Sequence, residues 1–183
     1  MTAPTPVDLA ANVRARLEAY ATELQAELDE QLEDEADRDA ARVAELRSLI
    51  AAWPRNIYGA LDLAGAAERL QTPCLVSVAL GEDVDDDLTP EGTETVLRVR
   101  TRIGVVIGAA ARNDPGGIKG AAEDDGPLGT LLRAARTRLV GWTPARRWEP
   151  LAVRRGRLLS LEGGRVFWQD EYTTFGWAVQ ARS

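Results

Sequence analysis

Apolar residues recur at spacings of three and four along the first part of the chain. Leu9, Val13, Leu17, Tyr20, Leu24, Leu28 and Leu32 make one stripe, the pattern of an amphipathic helix. Thr5 stands at the N-cap position, Pro6 at the first helical position and Asp8 at the third, where a carboxylate meets free backbone N–H groups. The stretch from Asp29 to Asp39 is nearly all charged, which fits a solvated helical tip or a break between two helices. Val43, Leu46, Ile50 and Trp53 resume the stripe until Pro54 stops it. One long arm and a helical hairpin both satisfy this spacing. A further short helix is predicted over residues 60–70.

The period then changes to two. Residues 74–80 read as a strand, and residues 95–109 as the strongest strand of the chain. There Leu97, Val99, Thr101, Ile103, Val105 and Ile107 take one face, and Arg98, Arg100 and Arg102 the other. A Gly-, Asp- and Pro-rich loop is predicted over residues 112–127. It leads into a helix whose apolar face is Leu128, Leu131, Leu132, Ala135 and Leu139, ended by Gly141. Two more strands, residues 151–161 and 165–179, flank Glu162-Gly163-Gly164 as a hairpin. The order predicts an α+β fold: an antiparallel β-sheet with packed helices, plus a long N-terminal helical arm. Residues 1–55 form the arm or hairpin, and residues 56–183 the α+β domain.

Composition narrows the chemistry. The 183 residues include no histidine and one cysteine, Cys74. Histidine triads, histidine general bases and His- or Cys-clustered zinc sites are therefore excluded, as is an intramolecular disulfide. No run reaches the ~20 apolar residues of a membrane span, and Met1–Pro6 lacks the start of a signal peptide. The expectation is a soluble protein with no membrane contact. The net charge of −7 is unevenly spread: residues 1–95 hold 21 acids and 7 arginines (−14), residues 96–183 hold 8 acids and 15 bases (+7). Such a molecule can meet copies of itself, or two partners, through unlike surfaces.

Asp83, Asp85, Asp87 and Glu94 have calcium-loop spacing, but Leu88 replaces the turn glycine and Pro90 follows, so an acidic hairpin loop is the better reading. The glycines at 104–108 and 116–120 lack the phosphate-loop ending. Cys74, in an apolar run without basic neighbours, reads as structural. No two acids are placed opposite each other for carboxylate catalysis. The expectation is no enzyme, no metal and no cofactor. Arg98, Arg100 and Arg102 suit either a nucleic-acid backbone or carboxylates on a neighbouring strand or subunit; the acidic chain favours the carboxylates. Arg146 and Arg147 carry the same two readings, as do Arg154 and Arg155. Arg98, Arg100, Arg102, Arg146, Arg147 and Trp148 are the candidate interface residues.

The C-terminal half resembles the Mu-like phage tail terminator proteins. The resemblance lies in a helix ending in Leu139-Val140-Gly141-Trp142-Thr143-Pro144, a strand across a short connection, Leu151-Ala152-Val153 to Arg157-Leu158-Leu159, a Gly-containing turn, and a closing aromatic strand from Val166 to Phe175. It covers roughly residues 72–179. The long charged N-terminal arm and the 114–127 loop depart from the family's compact pattern. The resemblance implies a structural virion protein, assembled in the bacterial host cytoplasm, that forms a ring, usually a hexamer. The ring caps the tail tube and joins tail to neck. Implied partners are further copies of itself, the tail tube protein and a neck or head-completion protein, with DNA passing through the ring without sequence-specific binding. The alternatives are another neck component, a head-completion or connector protein, and a small nucleic-acid-binding module.

Overall fold

The computed structural model describes residues 4–33, 39–55, 57–60, 71–91, 94–110, 126–162 and 164–181. The short helix predicted at 60–70 and the loop at 112–127 lie almost wholly outside the described residues.

The N-terminal stripe is a helical hairpin, α1 (Pro6–Glu33) and α2 (Ala40–Ala52). Thr5 and Asp8 cap α1 reciprocally: the Asp8 N–H donates to Thr5 Oγ1, and the Thr5 N–H donates to Asp8 Oδ2 at 2.8 Å. Asp39 caps α2 by accepting from the Ala41 and Arg42 N–H groups. Arg42 then bridges Glu27 of α1 and Glu45 of its own helix.

The sheet has order β1-β2-β3-β5-β4, from β1 (Ile57–Ala60), β2 (Cys74–Glu91), β3 (Glu94–Ala110), β4 (Ala152–Glu162) and β5 (Arg165–Ala181). Helix α3 (Pro127–Leu139) links β3 to β4, with Pro127 in its first turn and Gly126 as cap. The α+β class is as predicted, with two corrections. The sheet is mixed rather than antiparallel throughout, because β1 runs parallel to β2 at its edge. The acidic stretch read as a loop is strand: β2 continues to Glu91, held by β3 from Glu94 to Arg102. The physical reason lies across the ladder, where Arg100 and Thr101 hold Asp83 and Glu82.

Helices α1 and α3 cover one face of the sheet. Leu9, Val13 and Leu17 of α1, Leu131, Ala135 and Leu139 of α3, and the alternate β3 residues Val99, Ile103, Val105 and Ile107 share one core with Tyr172. Ser77 Oγ donates to the Ala10 carbonyl, and Asn12 Nδ2 to the Pro144 carbonyl, fixing α1 to strand and turn. The outer hairpin has its own cluster, Leu24, Leu28, Val43 and Leu46, joined to the main core through Tyr20 and Leu49. On the opposite sheet face Cys74, Val76, Val106 and Phe167 make a smaller cluster.

Candidate assembly surface

Strict alternation puts the β3 arginines on the sheet face turned away from the helices. Arg98, Arg100 and Arg102 stand opposite Trp177, Phe175 and Thr173 of β5. Each also has a carboxylate in its own chain. Asp83 lies 3.2 Å from Arg100 and 3.5 Å from Arg102. The Arg98 guanidinium lies over the Phe175 ring, 4.5 Å from its centroid, and reaches Glu149 at 3.0 Å. These pairs are half-buried, so each contributes only about 0–1 kcal/mol.

Strand β4 extends this basic surface. Arg155 donates to Glu171 at 2.8 Å, and Arg157 donates twice to Gln169 Oε1. Arg154 lies 4.0 Å from the same Glu171. Trp177, 46% exposed, rims the surface beside Arg98. Arg154 and Arg155 are open to the same two readings as the β3 arginines in the sequence, and here they meet a carboxylate of their own chain; Arg157, which the sequence leaves unremarked, joins them on β4.

The Arg146-Arg147-Trp148 run divides. It is a turn in which the Trp148 N–H donates to the Ala145 carbonyl and Arg147 adopts φ of 69°. Arg146 and Arg147 are exposed on it. Trp148 is only 6% exposed and its ring lies on Gly176, so it packs in the core and offers no ring to a partner. The β3 arginines share one face of the sheet, Arg146 and Arg147 are exposed on the turn that Glu149 ties to Arg98, and Trp148 holds that turn to the strand.

Below β4 lies a buried charge that the sequence did not disclose. Asp170 is fully buried and accepts two hydrogen bonds from Arg136 of α3, at 2.6 and 2.8 Å, and one from the Trp168 indole. The hydrogen bonds to Asp170 hold the Arg136 guanidinium above its ordinary range. This is a strut between helix and sheet, closed to solvent at the carboxylate end.

Burial pushes the Cys74 thiol up to about 11, which makes it a poor nucleophile. The calcium-loop spacing is taken up by strand, with Asp83 on β2 paired to two arginines and Glu94 on β3. Among the described residues no three His, Cys, Asp or Glu side chains converge as a metal site. None of their helices is long and apolar enough to cross a membrane.

The sequence profile of the phage tail terminator protein family matches residues 36–176. The chain belongs to the phage tail terminator family. It is therefore a structural protein of the phage tail. No curated protein matches it. Among solved structures, a chain from "Virion of native gene transfer agent (GTA) particle" is similar at a TM-score of 0.40 and 15% identity, over 82% of this chain and 92% of that one. The match to the terminator profile spans α2, α3 and nearly the whole sheet, so the arginine face and the β4 edge both lie within it.

Proposed function

We propose that this tail terminator works without catalysis, as a closed ring of identical subunits that ends the tail tube and joins it to the neck. Six copies, the size usual for the family it resembles, is the expected ring. One face of the ring meets the tail tube protein and the other a neck or head-completion protein. DNA passes through without sequence-specific contact, and assembly takes place in the host cytoplasm. No metal or cofactor takes part.

The observation that carries this reading is the match to the terminator family across 141 residues, residues 36–176. Surface chemistry supports it. An acidic hairpin and a basic sheet face are unlike surfaces on one chain, and unlike surfaces joined head to tail generate rings when the rotation closes. Arg146 and Arg147, on their exposed turn, and the arginines of β3 are the proposed partner contacts.

Native mass spectrometry of the full chain, with light scattering, tests the proposal. A discrete six-subunit species is the expected result. A twelve-subunit ring points instead to a connector. A monomer that binds DNA with a steep salt dependence points to a nucleic-acid module.

A further inference from the structure

The sheet has two unpaired margins, and they are chemically opposite. β4 is the last strand in the order, so its outer side meets no described strand, and residues 152–159 are all exposed. β2 is paired with β1 only from Leu75 to Val78; beyond that no described strand lies on its outer side. Each margin contains one regular four-residue run bounded by register shifts. On β2 it is Gly81-Glu82-Asp83-Val84, between the shifts at Ala79/Gly81 and Val84/Leu88. On β4 it is Arg155-Gly156-Arg157-Leu158, between the shifts at Val153/Arg155 and Leu158/Ser160.

The faces of the two runs match. Asp83 is registered with Arg100 and so lies on the arginine face, while Val84 is registered with the buried Val99 on the helix face. Arg155 and Arg157, registered with Glu171 and Gln169, lie on the arginine face, while Leu158 is registered with Trp168 on the helix face. Val84 is 57% and Leu158 52% exposed, both large apolar side chains left uncovered by their own subunit. β2 and β4 run in opposite directions in the sheet, so joining the margins with their faces aligned pairs them antiparallel; with Asp83 opposite Arg157 on one face, Val84 and Leu158 are diagonal neighbours on the other. Pairing β4 with β4 brings arginine to arginine, and pairing β2 with β2 brings Asp83 to Asp83; like charges across strands are destabilising. Charge therefore selects the head-to-tail arrangement and rejects both two-fold ones.

We propose that the occupant of the β4 margin is a second copy of this chain, bound through its β2 run Gly81–Val84, so that successive sheets join edge to edge around the ring. The inference rests on the ring reading and adds the surface that builds it. The register shifts and arginines that keep a free edge from indiscriminate pairing leave one short, charge-matched segment for the correct partner. Arg157 directs Nε and Nη2 to Gln169, which leaves Nη1 for the neighbour's Asp83.

The test uses the full chain. Val84→Cys with Leu158→Cys in one chain, treated with a bis-maleimide that spans the ~8 Å between diagonal neighbours, should give a ladder of covalent oligomers ending at the native ring size. Either single variant should give no ladder, and an equimolar mixture of the two singles should stop at a cross-linked dimer. Cys74 is buried, so it does not compete. Asp83→Arg, and separately Arg155→Glu with Arg157→Glu, should each weaken assembly about tenfold or more, and mixing the two variants should restore it. A ring formed by the wild-type chain, together with no ladder from the double-cysteine variant or with charge-reversed variants that assemble normally, overturns the edge-to-edge contact while leaving the ring reading intact. A wild-type chain that remains a monomer overturns the ring reading itself. A ladder together with charge rescue by mixing can arise only from the contact proposed.

Discussion

A Cβ added to Gly176 would sit 2.4 Å from the Trp148 ring, so the tryptophan reaches the core only because that strand residue has no side chain. Gly176→Ala should therefore cost about 1–3 kcal/mol by overpacking, read as a lower midpoint in urea with little change in slope. The strut below β4 predicts an asymmetry. Asp170 is fully buried whereas the Arg136 side chain is 43% exposed. Removing the arginine strands a charge without solvent; removing the carboxylate lets the arginine turn to water. Arg136→Met should cost about 3–5 kcal/mol and Asp170→Asn distinctly less, by the same urea measurement. Alkaline pH tests a third residue. The Cys74 thiol, ordinarily near 9, is held neutral to about 11 by burial, and burial shifts the Tyr172 phenol upward as well. Raised values in the folded state mean that only the unfolded chain ionises in this interval. Stability is thus complete below about pH 9 and falls towards pH 11. The melting temperature should drop across that window, and Cys74→Ala should flatten part of the drop.

At the scale of elements, the hairpin is divided between two cores. Leu17 belongs with the sheet, whereas Leu28 and Leu46 pack only with each other's helices. Leu17→Ala should lower global stability by about 2–5 kcal/mol. Leu46→Ala should raise hydrogen exchange mainly in α2 and the outer half of α1, leaving the strands protected. The same division explains which parts of the fold were legible in the chain. The Thr5–Asp8 cap and the alternation of β3 are local signals, complete within a few residues, and both elements stand where they were read. β1 was missed because Ile57–Ala60 is too short to establish a period, and its pairing with β2 is non-local. The outer half of β2 was misread because its acids say loop, whereas Arg100 and Thr101 across the ladder make them strand. Trp148 was misplaced for a similar reason: the space that receives it is made by Gly176, far along the sequence. Of the candidate surface, the arginine face of β3 was readable from period two. The carboxylates that meet it, Asp83 and Glu149, came from elements the pattern did not bring together.

For the whole molecule, the uneven charge bears on how copies meet. Residues 1–95 carry −14 and residues 96–183 carry +7. Within one subunit much of this is already neutralised: Arg98 with Glu149, Arg100 and Arg102 with Asp83, Arg138 with Glu23, and Arg155 with Glu171. Those pairs are mostly half-exposed, so salt should change the subunit's stability little. Contacts between copies differ, because they add the attraction of margins that remain partly uncompensated. At 0.5 M salt the screening length is about 4–5 Å, against ~10 Å at 0.1 M, so attraction beyond direct contact is lost. Sedimentation velocity at a fixed protein concentration should therefore show the assembled species giving way to monomer between 0.1 and 0.5 M sodium chloride, while the melting temperature of the dissociated subunit barely moves. The variant with Arg98, Arg100 and Arg102 all replaced by glutamine should fold, because the apolar face of β3 is untouched, and it should assemble less well with a flatter salt response. Assembly that holds or strengthens with salt would mean that Val84, Leu158 and their apolar neighbours hold the subunits together, with charge serving only to choose the orientation.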